Sequence, residues 1–137
     1  MSDENCIFCK IVNDEIPSKI VFENSTTIAF LDIHPISEGH TIVIPKNHYK
    51  TLENLPDNEI NTLFQTVRDV ASLIYKRLQV GGYNIVQNNH EAAGQVVNHA
   101  HIHIIPRNKG DQRFKAKIPK SQASEEELNN VLEKLKS

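Results

Sequence analysis

Several protein classes are excluded by what this chain lacks. It holds two cysteines, Cys6 and Cys9, too few for a disulfide framework. No apolar run approaches the roughly 18 residues that cross a bilayer. Met1-Ser2-Asp3-Glu4-Asn5 is acidic and polar, where a secretory leader would carry positive charge and then an apolar stretch. A cytoplasmic location with no membrane contact is therefore expected. The formal net charge of −2 leaves no basic surplus for a nucleic-acid backbone. A small phosphate ligand remains compatible, since it needs only a few local donors. Internal repeats and low-complexity tracts are absent too. With 39% hydrophobic and 23% charged residues in 137, the composition suits one globular domain with a core of its own.

What is present concentrates in residues 94 to 107, Gly-Gln-Val-Val-Asn-His-Ala-His-Ile-His-Ile-Ile-Pro-Arg, with three of the seven histidines. Strict alternation reads as a β-strand. His99, His101 and His103 would line one face, and Ala100, Ile102 and Ile104 the other. Three imidazoles on one face are not a packing solution, because their nitrogens need partners. Same-face neighbours stand about 6.5 Å apart and the outer pair about 13 Å. A single ion holding nitrogens at about 2.0–2.1 Å cannot readily gather all three. Nucleophilic catalysis by one imidazole, with its neighbours fixing tautomer and charge, fits better. His101, flanked on both sides, is the candidate nucleophile.

The rest of the chain supplies a scaffold. Cys6 and Cys9 sit three apart, so a short helix or turn aims both thiols one way. They read as a zinc half-site, as plain buried thiols, or, least of all, as a redox pair. Lys19–Glu23 and Thr26–Asp32 read as a hairpin, and Thr41–Pro45 as a third strand. His34 and His40 look like ordinary loop or strand-edge histidines. Residues 51 to 56 form a loop. Residues 57 to 79 are the clearest helix, capped by Asp57 and stopped by Gly81-Gly82. Ile60, Leu63, Phe64, Val67, Ala71, Ile74 and Leu78 give it one apolar face. Residues 83 to 88 form a fourth strand, paired antiparallel with the histidine strand across a polar loop. Residues 108 to 117 look like a solvated basic connection. Ser124 to Glu127 is a capping box before a short amphipathic helix. The expected architecture is α+β: a mostly antiparallel five-stranded meander sheet with one long helix and short N- and C-terminal helices. A single domain spans 1–137, with its core at about 6–107 and a C-terminal extension at 108–137.

His99-x-His101-x-His103, preceded by Gly94-Gln95-Val96-Val97 and followed by Pro106-Arg107, resembles the signature of the histidine triad (HIT) superfamily of nucleotide hydrolases and transferases. The stretch from Glu91 to Arg107 is most similar to the dinucleoside-polyphosphate hydrolase branch. The start of the chain is closer to the small bacterial and archaeal HIT and nucleoside-phosphoramidase branch. The resemblance implies hydrolysis of a nucleoside phosphoramidate or a dinucleoside polyphosphate through a nucleotidyl-histidine on His101, with His103 assisting. It implies a purine nucleotide contacted by Asp32, Ile33, Asn88, Gly94, Gln95, His101 and His103. It implies structural Zn2+ on Cys6, Cys9, His48 and His99, and a homodimer. Phosphoramidases of this family often carry a serine where this chain has Val96, which leaves polyphosphate cleavage open. Two other readings compete: a nucleotide-binding regulatory protein with slow hydrolysis, and a hydrolase that uses the triad directly as a catalytic zinc site.

Overall fold

The computed structural model describes residues 2–113 and 120–136. A five-stranded antiparallel sheet is built from β1 (Ile20–Glu23), β2 (Thr27–Leu31), β3 (Thr41–Pro45), β4 (Gly82–Val86) and β5 (Ile102–Arg107). Three helices accompany it: α1 (Ile7–Val12), α2 (Asp57–Arg77) and α3 (Glu125–Lys136). The strands lie in the order β1-β2-β3-β5-β4. The first three follow a meander. The chain then passes through α2 to β4 at the sheet edge, and β5 returns to fill the gap between β3 and β4.

Period-two alternation sorts the side chains between two cores. Ala29, Val43, Ala100, Ile102 and Ile104 face α2, meeting Leu63, Val67, Val70, Ala71 and Ile74. Burying each such aliphatic side chain contributes about 1.5–3 kcal/mol. Ile28, Phe30, Ile42 and Ile44 face the other way and pack against Cys6, Phe8, Cys9 and Ile11 of the α1 region. Here α1 is capped by the Cys6 side chain, which accepts the N–H of Cys9.

Some boundaries differ from expectation. Pro56, not Asp57, is the N-cap of α2, and no side chain caps it. The Pro56 carbonyl accepts the N–H groups of Glu59 and Ile60, while Asp57 and Glu59 place negative charge in the first turn. The helix stops before the glycines are reached, because Gln79 already takes a left-handed φ of 53°. Residues 52–54 form a 3-10 turn inside the expected loop. Regular pairing of the histidine strand begins only at Ile102. The side-chain alternation nevertheless extends back to Ala100, which lies in the α2-side core.

Ser124 and Glu127 form the expected capping box at α3, with the Glu127 N–H donated to Ser124 Oγ at 3.1 Å. Leu128, Val131, Leu132 and Leu135 of α3 are exposed. Of the expected basic connection, residues 114–117 lie outside the described residues; 108–113 are described, and Arg107 there donates to Asp111 at 2.6 Å and to Asn84 at 2.9 Å.

Candidate functional site

The sheet register assembles the site. His103 pairs with Ile42 of β3 on one side and Val86 of β4 on the other. Cross-strand partners share a face, so His103 lies on the α1 side of the sheet, beyond the part that α1 covers. His101 stands one step back on the same side, its ring centroid 5.0 Å from that of His103 and 5.1 Å from that of Phe8.

Hydrogen-bond partners assign the protons. His101 Nδ1 lies 2.7 Å from the carbonyl of His99, so Nδ1 carries the proton and Nε2 keeps a lone pair. His40 Nδ1 accepts the Ile36 N–H at 3.0 Å, so neutral His40 carries its proton on Nε2. That Nε2–H is 2.9 Å from His103 Nδ1, which must therefore accept, leaving the His103 proton on its far nitrogen. His99 Nε2 donates to the Pro45 carbonyl at 2.8 Å, which turns its Nδ1 lone pair toward the cysteines.

Burial keeps these rings neutral. Desolvation pushes His103 down to about 4, helped by His101 and His40 and opposed by Asp32. Desolvation also lowers His101, against the His99 carbonyl and Asp32. It lowers His40, against Asp32 alone. A neutral imidazole with an outward lone pair has the protonation state a nucleophile needs.

His40 corrects the sequence reading. It is no ordinary strand-edge histidine: it is 3% exposed and fixes the tautomer of His103. The missed signal was parity. Residues 40, 42 and 44 share one alternation, and Ile42 is the register partner of His103. His34, by contrast, is exposed.

Of the remaining site candidates, Asp32 lies against the histidine cluster. Asp32 Oδ1 accepts the His34 N–H at 2.8 Å, and its Oδ2 lies 3.6 Å from His40 Nε2. Ile33 is 83% exposed beside it. Gly94 takes a φ of 94°, open to glycine, and the Asn88 amide lies against it. The backbone N–H groups of Val96 and Val97 have no hydrogen-bond partner among the described residues. Gln95 is buried, and its amide is occupied by the chain: Nε2 donates to the carbonyls of Lys50 and Val97, and Oε1 accepts the His90 N–H. These bonds brace the loop and hold His90 in a backbone conformation of φ 73° and ψ 157°.

Among the described residues, two groups of side chains have metal-ligand composition. Cys6 Sγ lies 3.3 Å from His99 Nδ1, and Cys9 Sγ lies 3.3 Å from His48 Nδ1 and 3.5 Å from His99 Nδ1. A tetrahedral zinc would separate sulfur from nitrogen by about 3.6 Å, from its bond lengths. The outer atoms are braced as ligands usually are. Each sulfur accepts an N–H at 3.4 Å, Cys6 from Cys9 and Cys9 from Asp3. His48 Nε2 faces the Asp3 carboxylate at 3.9 Å, and His99 Nε2 is held by Pro45. These four residues fit zinc. The second group, Asp32, His40 and His103, does not. A metal on His40 Nε2 would force the proton onto Nδ1, against the Ile36 N–H. The triad is thus divided, with His99 facing the cysteines and His103 facing His40.

Comparison with known proteins shows the family. Residues 13–110 match the family model described as HIT domain. The chain is 44% identical to an uncharacterized HIT-like protein of Methanocaldococcus jannaschii, covering 96% of this chain and 98% of that one. It is 37% identical to the adenosine 5'-monophosphoramidase of Candida albicans, covering 98% and 91%. Among solved structures, a zinc-bound histidine triad family protein from Mycobacterium smegmatis superposes with a TM-score of 0.77 at 32% identity, covering 96% of each chain.

The histidine shifts set a pH dependence. Unfolded imidazoles titrate near 6.5, whereas His103 in the fold does so at about 4. Between those values the unfolded chain binds more protons, so stability is complete above about pH 6.5 and is lost as pH falls toward about 4. Urea unfolding of chelator-treated protein should show this slope, and His103→Gln should flatten it. An unchanged slope in that variant would remove His103 as its source.

Proposed function

Because the chain belongs to the HIT domain family, we propose that it is a nucleotide hydrolase that cleaves nucleoside phosphoramidates or dinucleoside polyphosphates to a nucleoside monophosphate. The observation that carries this reading is the buried, neutral His101, tied through Nδ1 to the His99 carbonyl with its Nε2 lone pair free to attack.

In the first step His101 Nε2 attacks the α-phosphorus, and the bond to the leaving group breaks with its electron pair going to that group. A polyphosphate departs as the anion; an amine takes a proton from solvent. The His101 ring becomes a nucleotidyl-imidazolium, its Nδ1–H still bonded to His99. In the second step water attacks the same phosphorus, the P–N electron pair returns to His101, and the surplus proton leaves with solvent. His103, its proton on Nε2 through His40, bonds a phosphoryl oxygen as charge builds there. The Val96 and Val97 amides and the Asn88 side chain take the other oxygens beside Gly94, and Gln95 holds that loop. Asp32 accepts from the ribose hydroxyls, and Ile33 lies against the purine. His101 and His103 are the catalytic pair.

Cys6, Cys9, His48 and His99 would hold structural Zn2+ as a four-ligand set with no ligand position left for substrate. Their joint ligation would anchor the segment that delivers His101. Thiolate ligation of this kind persists in reducing compartments, consistent with a cytoplasmic protein. No helix among the described residues is long and apolar enough to cross a membrane. One domain with its core at 6–107 carries these groups.

The protein is a homodimer joined at the β4 edge. Among the described residues that strand has a sheet neighbour on one side only, with Tyr83 and Ile85 both 43% exposed and Tyr75 and Leu78 exposed as well. An open apolar edge of this kind is a template for a second chain.

Three measurements check these assignments. His101→Ala should lower kcat by at least about a thousandfold, equivalent to about 4 kcal/mol, on adenosine phosphoramidate and a diadenosine polyphosphate, while monophosphate binding is largely kept; wild-type turnover would refute the nucleophile. Protein purified without added metal and never exposed to chelator should contain about one zinc per chain; a content well under one removes the zinc assignment. In sedimentation, Ile85→Lys should convert dimer to monomer; a variant that stays dimeric places the interface elsewhere.

A further inference from the structure

One buried acid has no part in the chemistry described above. Glu59 lies in the first turn of α2 and is 7% exposed. Its Oε2 accepts the Tyr49 hydroxyl and, at 3.2 Å, the Asn47 side-chain amide. Its Oε1 is buried with no hydrogen-bond partner among the described residues. Leaving a buried polar group unsatisfied costs about 1–3 kcal/mol, more for a charged one. The start of α2 does not require that cost, since the Pro56 carbonyl already serves the first turn and Asp57 already supplies a negative charge there.

The partners of Glu59 explain its presence. Asn47 and Tyr49 are the two chain neighbours of His48, whose Nδ1 faces Cys9. Residues 46–50 form neither helix nor strand. No ladder of hydrogen bonds therefore aims His48, and its direction must be set by contacts from outside the segment. Glu59 holds it from the α2 side, on both sides of the ligand. The opposite fastening is at Tyr49, whose carbonyl accepts the N–H of Ala100 at 2.7 Å, the residue after His99. The two histidines that face the cysteines are thereby tied to each other and to α2 through Tyr49.

We propose that Glu59 is the positioning residue of the metal centre: by holding Asn47 and Tyr49 together it points His48 at Cys9 and so sets zinc affinity. This rests on the zinc assignment made above for Cys6, Cys9, His48 and His99. Loss of an outer partner of this kind typically weakens metal binding by about 10–100-fold.

The test compares the full-length wild type with Glu59→Met, Tyr49→Phe and the double variant. Glu59→Met keeps the length of the side chain and removes both acceptor oxygens. Tyr49→Phe keeps the ring packed against the core and removes only the hydroxyl. Zinc affinity is read by competition with a chromogenic chelator, the site geometry by the visible spectrum of the cobalt(II) form, and folding by urea unfolding of the zinc-stripped protein. Each single variant should bind zinc at least about tenfold more weakly and shift the cobalt bands. The double variant should be little worse than the worse single one, because both changes break one linkage. Affinity within about twofold of wild type in both single variants, with tight zinc in the wild type, overturns the role of Glu59 alone. A loss of affinity that only tracks a loss of folding stability, with unchanged cobalt bands, overturns it as well. A wild type that takes up neither zinc nor cobalt removes the zinc assignment, and this inference with it.

Discussion

Each imidazole of the triad has one nitrogen committed to the chain, and the direction of the other nitrogen follows from that. His101 gives Nδ1 to a carbonyl two residues back, within its own segment. His99 gives Nε2 to Pro45 at the end of β3. His103 receives at Nδ1 from His40, which in turn receives from the Ile36 N–H. Where the rings are buried these bonds are costly to break, because a buried nitrogen left unpaired has no substitute partner. Tautomer is therefore a property of the fold, and three chemically identical side chains receive three tasks: His101 presents a lone pair, His103 a proton, and His99 a lone pair aimed away from both.

The same segment joins two environments. Its first histidine belongs with Cys6, Cys9 and His48, where α1, the loop after β3 and the start of the triad meet. Its last two belong to the open face between α1 and β4. Between them runs a set of side-chain braces. Gln95 ties the Gly94 loop to Lys50, Tyr49 is tied to Ala100, and Glu59 ties the Lys46–Lys50 segment to α2. The irregular stretches that carry the functional groups are thus fixed from outside by side chains on neighbouring elements, as loops without ladders of their own must be.

Much of this was legible beforehand. The alternation at 99–104 separated the imidazoles from Ala100, Ile102 and Ile104, and those three do enter the α2-side core. The spacing argument that three rings on one strand cannot share an ion agrees with His99 and His103 falling in separate groups. The apolar face of residues 60–78 announced the long helix, and Ser124 to Glu127 the start of α3. Local signals failed where a distant partner overrode them. Asp57 looked like a cap, but the Pro56 backbone serves that place. The backbone partners of the Gln95 amide, at His90, Lys50 and Val97, are likewise not revealed by the sequence.

His40 shows where the boundary lies. Its parity with Ile42 was present in the sequence, and so was the parity of His103. That the two positions meet depends on β5 entering between β3 and β4 in a register that pairs Ile42 with His103. The residues alone determined the kinds of element and the alternation that separates the triad histidines from Ala100, Ile102 and Ile104, because these follow from local periodicity and side-chain chemistry. Strand order, register, the tautomers, the second partner of each histidine and the grip of Glu59 on Asn47 and Tyr49 were decided only in the tertiary structure. Each of these depends on two segments far apart in sequence arriving within hydrogen-bonding distance, which no local pattern encodes.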